Sequence, residues 1–184
     1  MTTTFQPRLL LLVSACFFAP LAAQAAAPTK AEYAAAKTTI SEDYKAAKAA
    51  CATLKANAKD ICKEEAKAAD NNARAELEFK ASGKPADATK VKVVKADGAY
   101  EVAKERCDDL SGNAKDVCNK EAKAVHVTAL AAAKNAKASV ENRADAKEDI
   151  NEAKYKAAAE KCDPLSGDAK TACIQAAKTA HGQR

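Results

Sequence analysis

Between Val93 and Leu110 an apolar or small side chain recurs every three or four residues, at Val93, Ala96, Tyr100, Ala103, Cys107 and Leu110. The same walk back from Leu54 meets Cys51, Ala47, Tyr44 and Ile40. Forward from Cys118 it meets Ala122, Val125, Ala129, Ala132 and Ala136. This spacing lays one stripe of small residues along a helix and predicts helical arms facing each other through narrow, heptad-like seams. In a third segment Leu165, Cys162, Ala158 and Tyr155 keep the step. Asn151 and Glu148 then stand where apolar residues are expected, so that arm is read as packing less regularly.

The seams belong to a repeat. Cys51–Cys62, Cys107–Cys118 and Cys162–Cys173 each bracket a Leu and a polar turn followed by Ala-Lys, and Tyr44, Tyr100 and Tyr155 precede them at matching positions. A fixed period near 55 residues marks a repeat architecture. Gly112 and Gly167 suit the left-handed residue that ends a helix, and Pro164 stops helix continuation. Asn57, Asn113 and Asp168 read as N-caps of the returning helix, with Asp60 and Asp116 three positions later favouring its positive end. The first copy has Lys55-Ala56-Asn57 and no Gly, which makes its turn the least secure. In an unbroken helix the two cysteines of a pair would lie about 16 Å apart, too far for a bridge. Hairpin and disulfide therefore stand or fall together.

The expected architecture is all-α, with three repeated helical hairpins, each closed near its turn by a disulfide, extended or loosely bundled. The boundaries are a leader over 1–25 and repeats over 26–83, 84–138 and 139–184. Ser82-Gly83-Lys84-Pro85 marks the first junction. Near Ser139-Val-Glu-Asn142 there is no Gly or Pro. Two readings stay open there: one rod from about Ala114 to Lys161, or a weak break or kink near Asn142. Glu76/Lys80, Asp116/Lys120 and Glu152/Lys156 have the favourable i, i+4 order, about 0.2–0.5 kcal/mol each.

Composition sharpens this. After the leader, large apolar residues are roughly a tenth of the chain, a share that points toward disorder. Ala and Lys, however, are strong helix formers. Small residues bury little surface, at roughly 0.8 kcal/mol per CH₂, so the hairpins need staples. Arg8, the run from Leu9 through Ala19 and Ala23-Gln24-Ala25 have the form of a cleavable signal peptide. Val13-Ser14-Ala15-Cys16 offers the minority alternative of a lipoprotein through Cys16. Removing 1–25 leaves six cysteines, an even number in an exported chain, and no transmembrane span in the mature chain. The formal charge of +5 falls by one with Arg8 and is spread among both signs.

Candidate chemistry rests on few groups. Zinc and thioredoxin-like sites place cysteines two to four residues apart, against eleven in these pairs. His126 and His181 each follow a Cys by eight residues, roughly 12 Å along a helix, beyond a shared metal. They are read as surface or seam residues, and the three tyrosines as core. No P-loop, G-x-S-x-G, H-E-x-x-H or dinucleotide fingerprint occurs. Export and mixed charge argue against nucleic acid. Catalytic, cofactor-binding and metal residues are therefore assigned to none.

The wording from Ala103 to Ala124 resembles a group of uncharacterised Ala/Lys-rich exported proteobacterial proteins with repeated Cys pairs. These are sometimes labelled TolA-like or cell-envelope biogenesis proteins. The resemblance spans nearly all of the mature chain and implies an envelope setting. It brings no catalytic residues, and no Tol–Pal role is carried over. The expectation is a periplasmic or secreted, non-enzymatic structural or interaction protein that contacts an envelope protein or an anionic envelope polymer. The alternatives are a metal- or thiol-responsive periplasmic binder using the paired cysteines, and a weakly folded stress-protective protein.

Overall fold

The computed structural model describes residues 27–134 and 140–183. Among them run six helices: α1 (Lys30–Cys51), α2 (Ala56–Ser82), α3 (Pro85–Cys107), α4 (Gly112–Lys134), α5 (Val140–Glu160) and α6 (Gly167–Ala180). The helix starts and stops follow local chemistry. Thr29 and Glu32 form a reciprocal capping box on α1. Gly83, at φ 63°, ends α2 by donating its N–H to the Phe79 carbonyl at 2.8 Å, and Pro85 opens α3 at its first turn.

Each helix packs on its chain neighbours, broadly from α1–α2 through α4–α5 and more narrowly at α5–α6. Every pairing is antiparallel. Arg74 reaches back to Ser41 in the first hairpin, Glu76 pairs with Lys95 between α2 and α3, and Glu121 pairs with Lys161 between α4 and α5. The chain thus forms a zigzag array of three hairpins with all three closed turns at one end. Its buried side chains are alanines, cysteines, Leu77 and Val102, with none polar or charged among the described residues. The bulkiest fully buried side chains are Cys51, Cys107 and Cys162. The expected all-α array of disulfide-closed hairpins is the observed fold.

Four readings are corrected. A rod from Ala114 to Lys161 does not exist, because α4 and α5 lie side by side. The helix does break close to Asn142, since α4 ends at Lys134 and α5 begins at Val140. The seams were extended too far: Leu54, Leu110 and Leu165 stand past the helix ends and are 41%, 44% and 41% exposed. A single stripe also fails for α4, where Val125 is exposed while Ala124, Ala131 and Ala133 are buried. An interior helix of a zigzag has two neighbours and needs two buried faces. Glu76 turns to Lys95 on α3, although Glu152 and Lys156 do form the expected i, i+4 pair at 2.6 Å. The expected leader over 1–25, Cys16, Ala136 and Ser139 lie outside the described residues.

Candidate functional site

The chemistry of the chain is concentrated at the clamped end. Cys51–Cys62, Cys107–Cys118 and Cys162–Cys173 are disulfides, with Cα separations of 5.6, 5.6 and 5.8 Å. Each joins the end of one arm to the first turns of the next. The bridges are asymmetric in access: Cys51, Cys107 and Cys162 are sealed, whereas Cys62, Cys118 and Cys173 are half-buried. Each turn ends on a left-handed residue, Ala56 at φ 48°, Gly112 at 54° and Gly167 at 55°. The glycines thus launch the returning helix and do not terminate the preceding one. Lys115 holds Asp108 at 3.0 Å across the second turn, and Lys170 holds Asp163 at 3.0 Å across the third.

Asn57, Asn113 and Asp168 are not N-caps. They sit inside the first turn of α2, α4 and α6, and the helix before them starts at the left-handed residue. Asn57 Nδ2 instead donates to the Glu105 carbonyl on α3 at 2.6 Å, and Asn113 Nδ2 donates to the Glu160 carbonyl on α5 at 2.8 Å. These amides tie one hairpin to the next through carbonyls in the last turn of a helix, which also accept the backbone N–H of Asp108 and of Asp163. An ion pair accompanies each, Arg106 to Glu65 at 2.7 Å and Lys161 to Glu121 at 2.5 Å. Half a helix further along, Gly98 lets α3 approach α2 closely, since a Cβ there would meet the Ala68 Cβ at 2.8 Å. The hairpin-to-hairpin joint thus has three parts: amide, ion pair and close approach.

Within the hairpins a second polar contact recurs at matching positions. In the middle one His126 stacks on Tyr100, with ring centroids 4.6 Å apart, and its Nε2 meets Asp97 Oδ1 at 2.6 Å. Only 10% of the His126 side chain is exposed, and its Nδ1 has no hydrogen-bond partner. Lys104 and Lys123 each lie 5.5 Å from the Tyr100 ring centre. The first hairpin places Ser41 and Asp70 at the positions of Asp97 and His126, bridged by Arg74. His126 is thus a packed element of its hairpin, and His181 caps the end of α6.

A charged groove of about 320 Å³ lies between α2 and α3, lined by Glu64, Lys67, Arg74, Glu78, Lys90 and Glu101 among others. Its cations are already engaged: Lys67 with Glu64, Arg74 with Asp70, Lys90 with Glu78. Those hydrogen bonds hold all three above their ordinary pKa values. Among the described residues no three His, Cys, Asp or Glu side chains gather as a metal-ligand set, and no helix is long and apolar enough to cross a membrane. Comparison with protein-family models, with curated proteins and with solved structures finds no match.

Proposed function

We propose that the protein is an exported, non-catalytic helical element of the bacterial cell envelope that works in the periplasm as a structural or interaction protein. The observation that carries this reading is the set of three disulfides, each with one sulfur sealed in a core built mostly of alanine. Such bridges form and persist in oxidising compartments, and a core this thin depends on them. The clamped end also presents Leu54, Leu110 and Leu165 as a row of half-exposed leucines, one per hairpin. That edge is the natural contact surface for an envelope protein. The lysines along the arms suit an anionic envelope polymer.

The test is to express the full chain in a Gram-negative host, fractionate without reductant and map thiols by mass. Recovery in the periplasmic fraction with all three bridges closed, and salt-sensitive retention on isolated peptidoglycan or lipopolysaccharide, is the expected result. Cytoplasmic protein with free thiols that keeps its cooperative helical melt would overturn it.

A further inference from the structure

We propose that α1 and α6 are end caps that stop the array at three hairpins and refuse a second copy of the chain at both outer faces. The repeat makes this readable, because every position in the hairpin-to-hairpin joint has a counterpart on the two outermost helices.

The receiving side of the joint is carried by α3 and α5. Arg106, Val102 and Gly98 on α3 correspond to Lys161, Ala157 and Ala153 on α5. Both sets combine a cation before the first Cys, a buried apolar residue one turn earlier and a small residue one turn before that, which on α3 is the Gly98 of the close approach. On α1 the same positions hold Ala50, Ala46 and Glu42, all exposed. The cation is gone. Glu42 is the stop: a bare Cβ at Gly98 already meets Ala68 at 2.8 Å, so a charged side chain there keeps a neighbouring helix away.

The presenting side is carried by α2 and α4. Asn57, Ile61, Glu65 and Ala68 on α2 correspond to Asn113, Val117, Glu121 and Ala124 on α4. On α6 they become Asp168, Ala172, Ala176 and Thr179, all exposed. The carboxylate of the ion pair is lost. The amide that donates to a helix-terminal carbonyl becomes a carboxylate, which has no proton to give and is repelled by the negative end of a helix. Each outer face therefore lacks its half of the joint, and the two lack matching halves. Joints of this kind are head-to-tail, so unblocked ends would propagate into open chains. Repeat arrays require terminal units with a polar outer face for the same reason.

The test restores the joint at both ends of the oxidised full chain: Glu42→Ala with Ala50→Arg on α1, and Asp168→Asn, Ala176→Glu and Thr179→Ala on α6. Sedimentation velocity is run across micromolar to millimolar protein, with circular dichroism confirming helix content. The parent is expected to remain one species at every concentration. The fully opened variant is expected at least to double its weight-average mass, and 1 M salt, where the screening length is about 3 Å, should reverse the effect. Should the combined variant fold poorly, an α1-opened chain and an α6-opened chain are mixed; each alone stays monomeric and the mixture forms a one-to-one complex. A parent that already assembles end to end, or opened ends that stay monomeric while fully helical, would overturn the proposal.

Discussion

Among the described residues Ala56 is the one non-glycine in the left-handed backbone region. It holds φ 48° where its counterparts Gly112 and Gly167 hold 54° and 55°, and the left-handed region costs an L-residue about 1–2 kcal/mol. Ala56→Gly should relieve that strain, less the ~0.4–1 kcal/mol by which glycine loosens the unfolded chain. The net is a gain of about 0.5–1 kcal/mol, a rise of a few degrees in melting temperature, and Gly112→Ala should move the midpoint the other way. Glu32 gives a residue-scale pH effect. Thr29 donates to it from both its backbone N–H and its hydroxyl, each at 2.8 Å, which holds the Glu32 carboxyl below its ordinary value. A depressed carboxylate stabilises above its unfolded pKa and loses that contribution as pH falls through the folded one. The Thr29 amide resonance should therefore shift in acid, below about pH 4.3, and Glu32→Gln should abolish the step. Asn57 and Asn113 show where residue-level reading failed. An Asn after a turn has the chemistry of an N-cap, and whether its amide turns to its own helix or to a neighbour is decided by what stands opposite. That partner is a backbone carbonyl, which leaves no trace in the sequence.

At the scale of elements, the packing of α3 on α2 depends on a missing methyl group. Gly98 within α3 costs helix stability, about 1 kcal/mol relative to Ala, yet a Cβ there would lie 2.8 Å from Ala68. Gly98→Ala gains the propensity and forces an overpacked contact costing typically 1–3 kcal/mol. The expected balance is a loss of about 1 kcal/mol in urea unfolding, with faster amide exchange along α2 and α3. The hairpins themselves were legible because Cys spacing, turn residues and recurring tyrosines all agree. Their lateral packing was not. A seam drawn by counting threes and fours assumes one partner per helix, and it misplaced Val125, which is 70% exposed. The leucines of the turns lie on the same count and are likewise outside the core, because the count ran past Cys51, Cys107 and Cys162 into residues that are no longer helical. Reading α4 and α5 as one rod failed for a related reason: neither Gly nor Pro marks the reversal, which the interlocking of Asn113 with Glu160 establishes.

For the whole molecule, stability resides in bridges more than in packing. Closing a loop of eleven residues contributes about 2.5–3 kcal/mol in the chain-entropy account, against a total of about 5–15 kcal/mol for a typical domain. Replacing Cys107 and Cys118 together by Ala should lower the unfolding free energy measured in urea by that amount while leaving the outer bridges intact on mass mapping. Because α1 to α6 touch chiefly in sequence, the damage should centre on α3 and α4 in hydrogen exchange. The unequal access of the paired sulfurs then gives the array a chemical polarity. A small thiolate enters a disulfide at the sulfur it can reach, which here is Cys62, Cys118 or Cys173. The adduct therefore forms on the returning helix and the displaced thiol is released in the interior at Cys51, Cys107 or Cys162. Brief exposure to glutathione followed by alkylation should place glutathione on Cys118 and the alkyl group on Cys107; the reverse pattern would refute this. Held beside its former partner at high effective concentration, the buried thiol expels the adduct and closes the loop again. Attack from solvent at that end becomes a reversible nick that the hairpin mends without an external oxidant.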